Sequence, residues 1–264
     1  HLHAAERAGG FLKLRGPAAP GGGSPFARPV AGMDALTDAL ARALAEAGVV
    51  VETGAPVVAV TPDGVRLADG TERRADAVLV ALPAPAAAAV LADLDPALAA
   101  PLAEIPMGTV TAAVVGFPSE GRTVPAASGW LVPRAEGGPV QAVTMLSRKH
   151  AGTAPPGHDL ARVFLRPSFD GDDAAALDAA TAHLGRHVGG VRPVFTAVQR
   201  WRGAQPRYTL GHPERLAALD AALAAHPGLA LAGASLRGVG LPDVIANAQA
   251  AADTLLTSLD SPDR

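Results

Sequence analysis

Cysteine is absent from the sequence. Disulfides and thiolate metal sites are thereby excluded, and the chain suits a reducing compartment. Aromatic residues make up only 3% of the 264 positions, so any cluster of them is informative. An excess of basic charge is also missing. The formal net charge is −3 at pH 7, which argues against a nucleic-acid surface. Lysine occurs only at Lys13 and Lys149, so arginine supplies the rest of the 22 basic residues. GC-rich coding, which the alanine and proline excess supports, and carboxylate recognition by the planar guanidinium both produce this bias. Composition does not separate them. No basic leader followed by an apolar core follows His1, so no signal peptide is expected. The uncharged run 77–92 is broken by Pro83 and Pro85 and is too short to span a bilayer. It reads as a buried strand followed by a helix. Surface association with a membrane stays open.

What is present is a globular chain. Hydrophobic residues make up 49%, enough for one large domain or two smaller ones with cores of their own. Residues 1–31 read as irregular, and Gly21-Gly22-Gly23-Ser24-Pro25 as a flexible loop. It makes a poor phosphate loop, because no strand precedes it and Pro25 lacks an N–H. Met33, Leu36, Leu40 and Leu44 recur on one side of a helix predicted over 34–47, which Gly48 ends. Val49-Val50-Val51 is read as a strand. Turn signals at Pro62-Asp63-Gly64 and Asp69-Gly70 predict a small antiparallel meander over 55–81. It returns through an apolar strand at 76–81 that reads as covered on both faces. Alanine-rich helix is predicted over 84–104 with a break at Asp95-Pro96. Strands follow at 109–117, 140–146, 161–166 and 194–201, with helices at 172–188 and 214–225. No internal repeat is visible. The expected plan is an α/β domain made from both ends, with an α+β domain inserted between them.

The most informative stretch is 231–252. It reads as a buried strand at 229–231, a loop carrying Gly233, Gly238 and Gly240, and a helix opened by Pro242 and Asp243. Such a helix start gathers free N–H groups and partial positive charge, which favour electron-rich oxygens. Both a cofactor seat and an ordinary strand-to-helix turn fit these residues. Other chemistry is sparse. Ser235 lies in no Gly-x-Ser-x-Gly elbow and has no neighbouring base. His183 and His187 are four apart, without a third ligand in view, and read as a solvated helix face. Asp170, Asp172 and Asp173 read as helix capping. No metal site and no catalytic side chain are expected. Trp201 and Tyr208 are clustered aromatics that either wall a ligand or belong to the core. Glycine-lined backbone and an aromatic wall, without acid–base machinery, fit a site where a cofactor carries the reaction.

At these residues the chain resembles the carboxy-terminal part of FAD-dependent protoporphyrinogen and coproporphyrinogen oxidases, within the flavin monoamine oxidase-like superfamily. Ala31-Gly32-Met33-Asp34-Ala35-Leu36 resembles the family's "GGM..L" helix start. Gly54-Ala55-Pro56-Val57-Val58-Ala59-Val60 is similar to the strand that meets the adenine, and 76–83 to "AD.VV.A.P". Ser128-Gly129-Trp130-Leu131-Val132-Pro133 resembles a pocket-lining "G.LVP" segment. Arg200-Trp201, Pro206-Arg207-Tyr208 and Gly211-His212 resemble "RW...PQY..GH", and 231–243 resembles "LAG....GVG.PD". The six pieces occur in the family's order over nearly the whole chain.

The resemblance implies an incomplete FAD-binding, glutathione reductase-like domain over 1–82 and 201–264. It implies a substrate domain of antiparallel sheet and helices over 83–200. Val57, Trp201, Gly233, Val239, Gly240 and Leu241 are implied as cofactor contacts. Gly129, Leu131 and Arg166 are implied as substrate contacts, Arg166 towards a propionate, with His212 structural. The implied reaction is oxidation of a porphyrinogen to a porphyrin, with FAD taking hydride and O2 reoxidising the flavin with release of hydrogen peroxide. Repeated cycles account for six electrons. The composition suggests a high-GC Gram-positive source, where such enzymes act on coproporphyrinogen III, with protoporphyrinogen IX as a further substrate. A cytoplasmic setting follows, with peripheral membrane association and a haem-pathway enzyme partner left open. Two alternatives stand beside it: another flavin amine oxidase-like enzyme, and a porphyrin-binding remnant without turnover. An amine oxidase often carries Glu where Ala234 or Ser235 stands.

The sequence departs from the family in one respect. The strand, Gly-x-Gly-x-x-Gly turn and helix that grip the FAD pyrophosphate are not found, and Gly238-Val239-Gly240-Leu241-Pro242-Asp243 lacks the third glycine. The expectation is an amino-terminally truncated chain that by itself binds FAD weakly or not at all and is inactive as an oxidase. Titrating the chain into FAD should leave flavin fluorescence largely unquenched; tight stoichiometric quenching would refute this.

Overall fold

Gly48 sets the end of the helix that precedes it. In the computed structural model, which describes residues 28–125 and 127–260, α1 spans Asp34–Glu46. Gly48 takes φ +76°, and the Gly48 and Val49 amides donate to the carbonyls of Ala45 and Leu44. This double closure satisfies two carbonyls that the helix leaves open. The predicted strand at Val49-Val50-Val51 does not form. These residues are exposed and irregular, because a strand needs a partner ladder and none is offered among the described residues. The glycine-rich segment 21–25 lies outside the described residues. The chain divides into units 1–55 and 56–264, and the remaining elements belong to the second.

The meander forms as predicted. β1 (Val57–Thr61), β2 (Gly64–Leu67) and β3 (Glu72–Arg74) make an antiparallel sheet in that order, with a bulge between Val57 and Ala59. Gly64 is required at the first turn. It has φ +146°, and a Cβ there would overlap the Arg73 carbonyl. β4 (Val78–Val80) then runs parallel to β10 (Leu229–Leu231), with Val78 opposite Leu229 and Val80 opposite Leu231. Four helices accompany this pair: α2 (Ala84–Leu91), α3 (Pro96–Ala103), α6 (His212–Leu223) and α7 (Leu241–Leu259). Asp95 breaks the alanine-rich run as expected, accepting from the Ala97 amide at 2.8 Å to cap α3. Val80, Leu91, Leu98, Leu102, Leu219 and Leu231 form one core. On the other side of the strands Ala230 and Ala232 meet Ala251 and Leu255 of α7. Leu79 stays partly exposed, so β4 is not covered on both faces. Two strands are too narrow for one helix to shield the second of them.

The middle of the chain builds a five-stranded antiparallel sheet in the order β6-β7-β8-β5-β9. Its strands are β5 (Met107–Pro118), β6 (Gly129–Leu131), β7 (Val140–Met145), β8 (His158–Leu165) and β9 (Phe195–Pro206). A single turn, α4 (Leu146–Lys149), joins β7 towards β8, and α5 (Asp173–Val188) covers one face. Burial alternates without interruption along β8, the signature of a sheet packed on one side. Ala113, Val143, Val163, Leu165 and Phe117 face α5 through Ala176, Ala180 and Leu184. Asp172 caps α5 by accepting from the Ala175 amide at 2.8 Å. No helix among the described residues is long and apolar enough to cross a membrane.

His183 differs from the expected solvated face. It is 4% exposed, beneath Trp130, whose indole N–H donates to its Nε2 at 3.2 Å. The His183 and His187 rings stack with centroids 4.3 Å apart, and His187 Nδ1 bonds the His183 carbonyl at 2.9 Å. Burial first, then repulsion from His187 and Arg186, lowers the His183 pKa to about 4 from 6.5. The unfolded chain binds this proton near pH 6.5 and the fold only near 4. The contribution is therefore complete above 6.5 and is lost as pH falls towards 4, by at most about 3 kcal/mol. Asp69, Asp95 and Asp159 are held below their ordinary 3.8 and weaken the fold only at lower pH. Urea midpoints measured from pH 7.5 to 4.5 should fall in the native protein and much less in His183→Gln. Parallel slopes would remove His183 as the cause.

Candidate functional site

β4 and β10 are parallel, so their carboxyl ends point the same way, and both chains turn there into helices. This is where open parallel sheets place ligands. Ala232 still donates to the Val80 carbonyl at 3.0 Å. From Gly233 the chain leaves the sheet and reaches α7 at Leu241. Four side chains brace this loop. Asn247 Oδ1, reaching back from α7, accepts from the Gly233 amide at 3.1 Å. Ser235 is buried, and its hydroxyl accepts from the Ala84 amide at 3.1 Å, satisfying the start of α2. The Tyr208 hydroxyl donates to the Ala234 carbonyl at 2.6 Å and accepts from the Gly238 amide at 2.9 Å. His212 stacks on Tyr208 with ring centroids 4.1 Å apart, and its Nε2 bonds the Leu236 carbonyl at 2.8 Å. His212 is thus a structural residue, as expected.

Beyond this brace the loop is bare. Gly238 has φ +141°, and a Cβ there would overlap Asp243. Gly240 sits against the same carboxylate, with its would-be Cβ 2.9 Å from Asp243 Oδ2. Gly240 itself occupies the cap position of α7, without a side-chain bond. Val239 is 57% exposed and Leu241 51%. No described group accepts from the amides of Val239, Gly240 or Leu241. The result is an exposed main-chain ledge at the positive end of a 19-residue helix.

The sheet face opposite α5 gathers the other predicted residues. Leu131, Ala142, Phe164, Ala112 and Gln199 align in one row across the strands, and Gly129, Thr144, Arg162, Val114 and Ala197 in another. Trp201, opposite Val110, continues the same face. Leu131 is 83% exposed and Trp201 42%. Gly129 lets the strands close: a Cβ there would overlap the Val143 carbonyl. Gly129 and Leu131 line a cleft of about 210 Å³. Arg166, just past β8, borders a second cleft of about 400 Å³ with Arg134 and Gln141. Much of its guanidinium is committed. Nε donates to Gly138 at 3.0 Å, and Nη2 donates to Val132 at 3.2 Å and Pro133 at 3.0 Å.

Val57 opens β1, the edge strand of the meander, with no strand on its outer side among the described residues. Its backbone is open there to a further hydrogen bond. A cleft of about 920 Å³ lies elsewhere, between the β1–β2 turn and the start of β10.

Sequence reasoning missed the work of Tyr208 and Asn247. Tyr208 drew attention as a ligand wall, and its hydroxyl is spent on the loop. A tyrosine and a histidine four apart after a strand carry that signal. Asn247 looks like any polar helix residue. Arg162 was missed because only the strand register places it on the uncovered face.

Curated relatives of the chain are named coproporphyrinogen III oxidase or protoporphyrinogen oxidase. The chain is 40% identical over 250 residues to a coproporphyrinogen III oxidase from Propionibacterium freudenreichii subsp. freudenreichii, covering 92% of this chain and 46% of that protein. It is 32% identical over 248 residues to a protoporphyrinogen oxidase of Macaca fascicularis, covering 85% and 50%. The chain therefore spans about half the length of these relatives. Among solved structures, a protein of Exiguobacterium sp. 255-15 assigned as a protoporphyrinogen oxidase superposes with a TM-score of 0.79 at 24% identity, over 98% of this chain and 58% of that one. Its likeness shows the mixed α/β fold. Residues 11–256 match the flavin containing amine oxidoreductases, and the chain belongs to that family.

Proposed function

We propose that this chain supplies the flavin ledge and the substrate face of an FAD-dependent porphyrinogen oxidase of haem biosynthesis. The reaction is coproporphyrinogen III to coproporphyrin III, or protoporphyrinogen IX to protoporphyrin IX, with O2 as acceptor. The single observation that carries the reading is the braced loop 233–240, which leaves three consecutive amides at a helix start without an acceptor among the described residues. The names of the relatives supply the substrate class. In this reading residues 1–82 and 201–264 belong to the FAD-binding domain and 83–200 to the substrate domain. The setting is cytoplasmic, with membrane contact confined to the surface.

The ledge fits the cofactor. Preorganised amides at a helix start would favour negative charge on a reduced flavin edge without having to reorient. Bound FAD supplies the hydride acceptor that the side chains lack. The chain's own residues orient and shield. Val239, Gly240 and Leu241 present main chain to the ring, and Gly233 keeps the β10 exit clear. Trp201 would offer its indole to the cofactor. The open edge of Val57 suits a base such as adenine. Gly129 and Leu131 give the macrocycle an apolar floor, and Arg166 fixes its rim by holding the carbonyls of 132–138 while facing a propionate from the cleft it shares with Arg134.

Joining this chain to the part of the Propionibacterium freudenreichii relative outside the match tests the reading. The chimaera should bind FAD stoichiometrically and convert coproporphyrinogen III to fluorescent porphyrin with release of hydrogen peroxide. A chimaera that binds flavin but oxidises amines and not porphyrinogens would overturn the assignment. In the same protein Tyr208→Phe removes both loop bonds. It should cost about 1–2 kcal/mol of stability and weaken FAD by about ten-fold. Unchanged FAD affinity would free the ledge from its brace.

A further inference from the structure

We propose that Arg162 receives a carboxylate of the substrate on the uncovered sheet face, an inference that rests on the porphyrinogen reading above. Arg162 lies in β8, with Thr144 of β7 and Val114 of β5 as its cross-strand neighbours. Its row and the next hold glycine, alanine, valine, leucine and phenylalanine, with Thr144 and Gln199 the other polar members. A cation there is out of keeping with its surroundings. Its guanidinium lies over the Phe164 ring, 4.9 Å from the centroid, which holds the side chain along the sheet. Its Nε is buried without a hydrogen-bond partner. No described carboxylate pairs with it. A buried donor left unmade costs free energy that a ligand acceptor recovers.

Three other arginines of the region are placed differently. Arg166 spends Nε and Nη2 on main-chain carbonyls. Arg148 pairs with Asp159, and Arg200 with Asp173. Unlike these three, Arg162 offers a guanidinium without an acceptor among the described residues. From Trp201 it is four residues along the β5 register and two strands across, about 13 Å by about 10 Å. A planar tetrapyrrole laid on Leu131 and Phe164 can keep its ring towards the indole while a peripheral propionate reaches Arg162. The fork geometry of the guanidinium suits such a carboxylate.

Coproporphyrin III and its tetramethyl ester, titrated under identical conditions into the unaltered chain and its variants, separate the outcomes through the porphyrin absorbance band. Native protein should prefer the acid. Arg162→Gln, and Arg162→Met, which keeps an apolar stem over Phe164, should each lose about ten-fold or more in affinity for the acid. Both should bind the ester as the native chain does, which also shows that the face remains folded. Undiminished acid binding, or equal losses for acid and ester, overturns the role of Arg162 alone. A native chain that binds neither porphyrin overturns the porphyrinogen reading and this inference together.

Discussion

One hydroxyl group holds the ledge in shape. Tyr208 donates to Ala234 and accepts from Gly238, so the loop 234–238 is closed from both ends by a single atom. The ring that carries it stacks on His212, and His212 bonds Leu236 between those two points. Three contacts over five residues leave the loop little freedom. The amides beyond it are consequently fixed before any ligand arrives, and fixed donors stabilise developing charge better than mobile ones. Tyr208 reaches the loop because β9 continues to Pro206, paired with Met107 at the far end of β5. The length of one antiparallel pair thus sets the geometry of a loop that belongs to the parallel pair.

Hydrophobic rhythm made most of the elements legible. Meander, alanine-rich helices, the long helix after Asp172 and the strand-loop-helix that begins at 229 all stand where spacing and capping put them. The failures have specific causes. Val49-Val50-Val51 has the composition of a strand, but composition supplies no partner. β6 is three residues long and opens on Gly129, too short to show a period. His183 reads as surface because a helix face is judged by its neighbours in sequence. Its cover is Trp130, more than fifty positions away.

The site was legible in part, for a related reason. Glycine and proline mark the loop at Gly238, Gly240 and Pro242, since those residue types are chosen for backbone geometry that sequence displays directly. The brace is built of ordinary residues whose meaning is a distance. Arg166 illustrates the limit. Its position beside the sheet was foreseeable, but the three carbonyls it holds became visible only once the 132–138 turn had a shape.

Strand parity decides which residues of the sheet serve stability and which are left for a ligand. Leu165, Val163, Ala161 and Asp159 of β8 point to the α5 side and are buried. Phe164, Arg162 and Leu160 point the other way, and nothing among the described elements covers them with a helix. A shift of one residue in register would exchange the two sets. The sheet therefore cannot trade one role for the other by small adjustment. It must keep α5 and its apolar contacts in order to hold the opposite face open. The open face carries Arg162, whose buried Nε has no acceptor among the described residues. Changes on the two faces should for that reason be felt separately, as stability on one and as ligand affinity on the other.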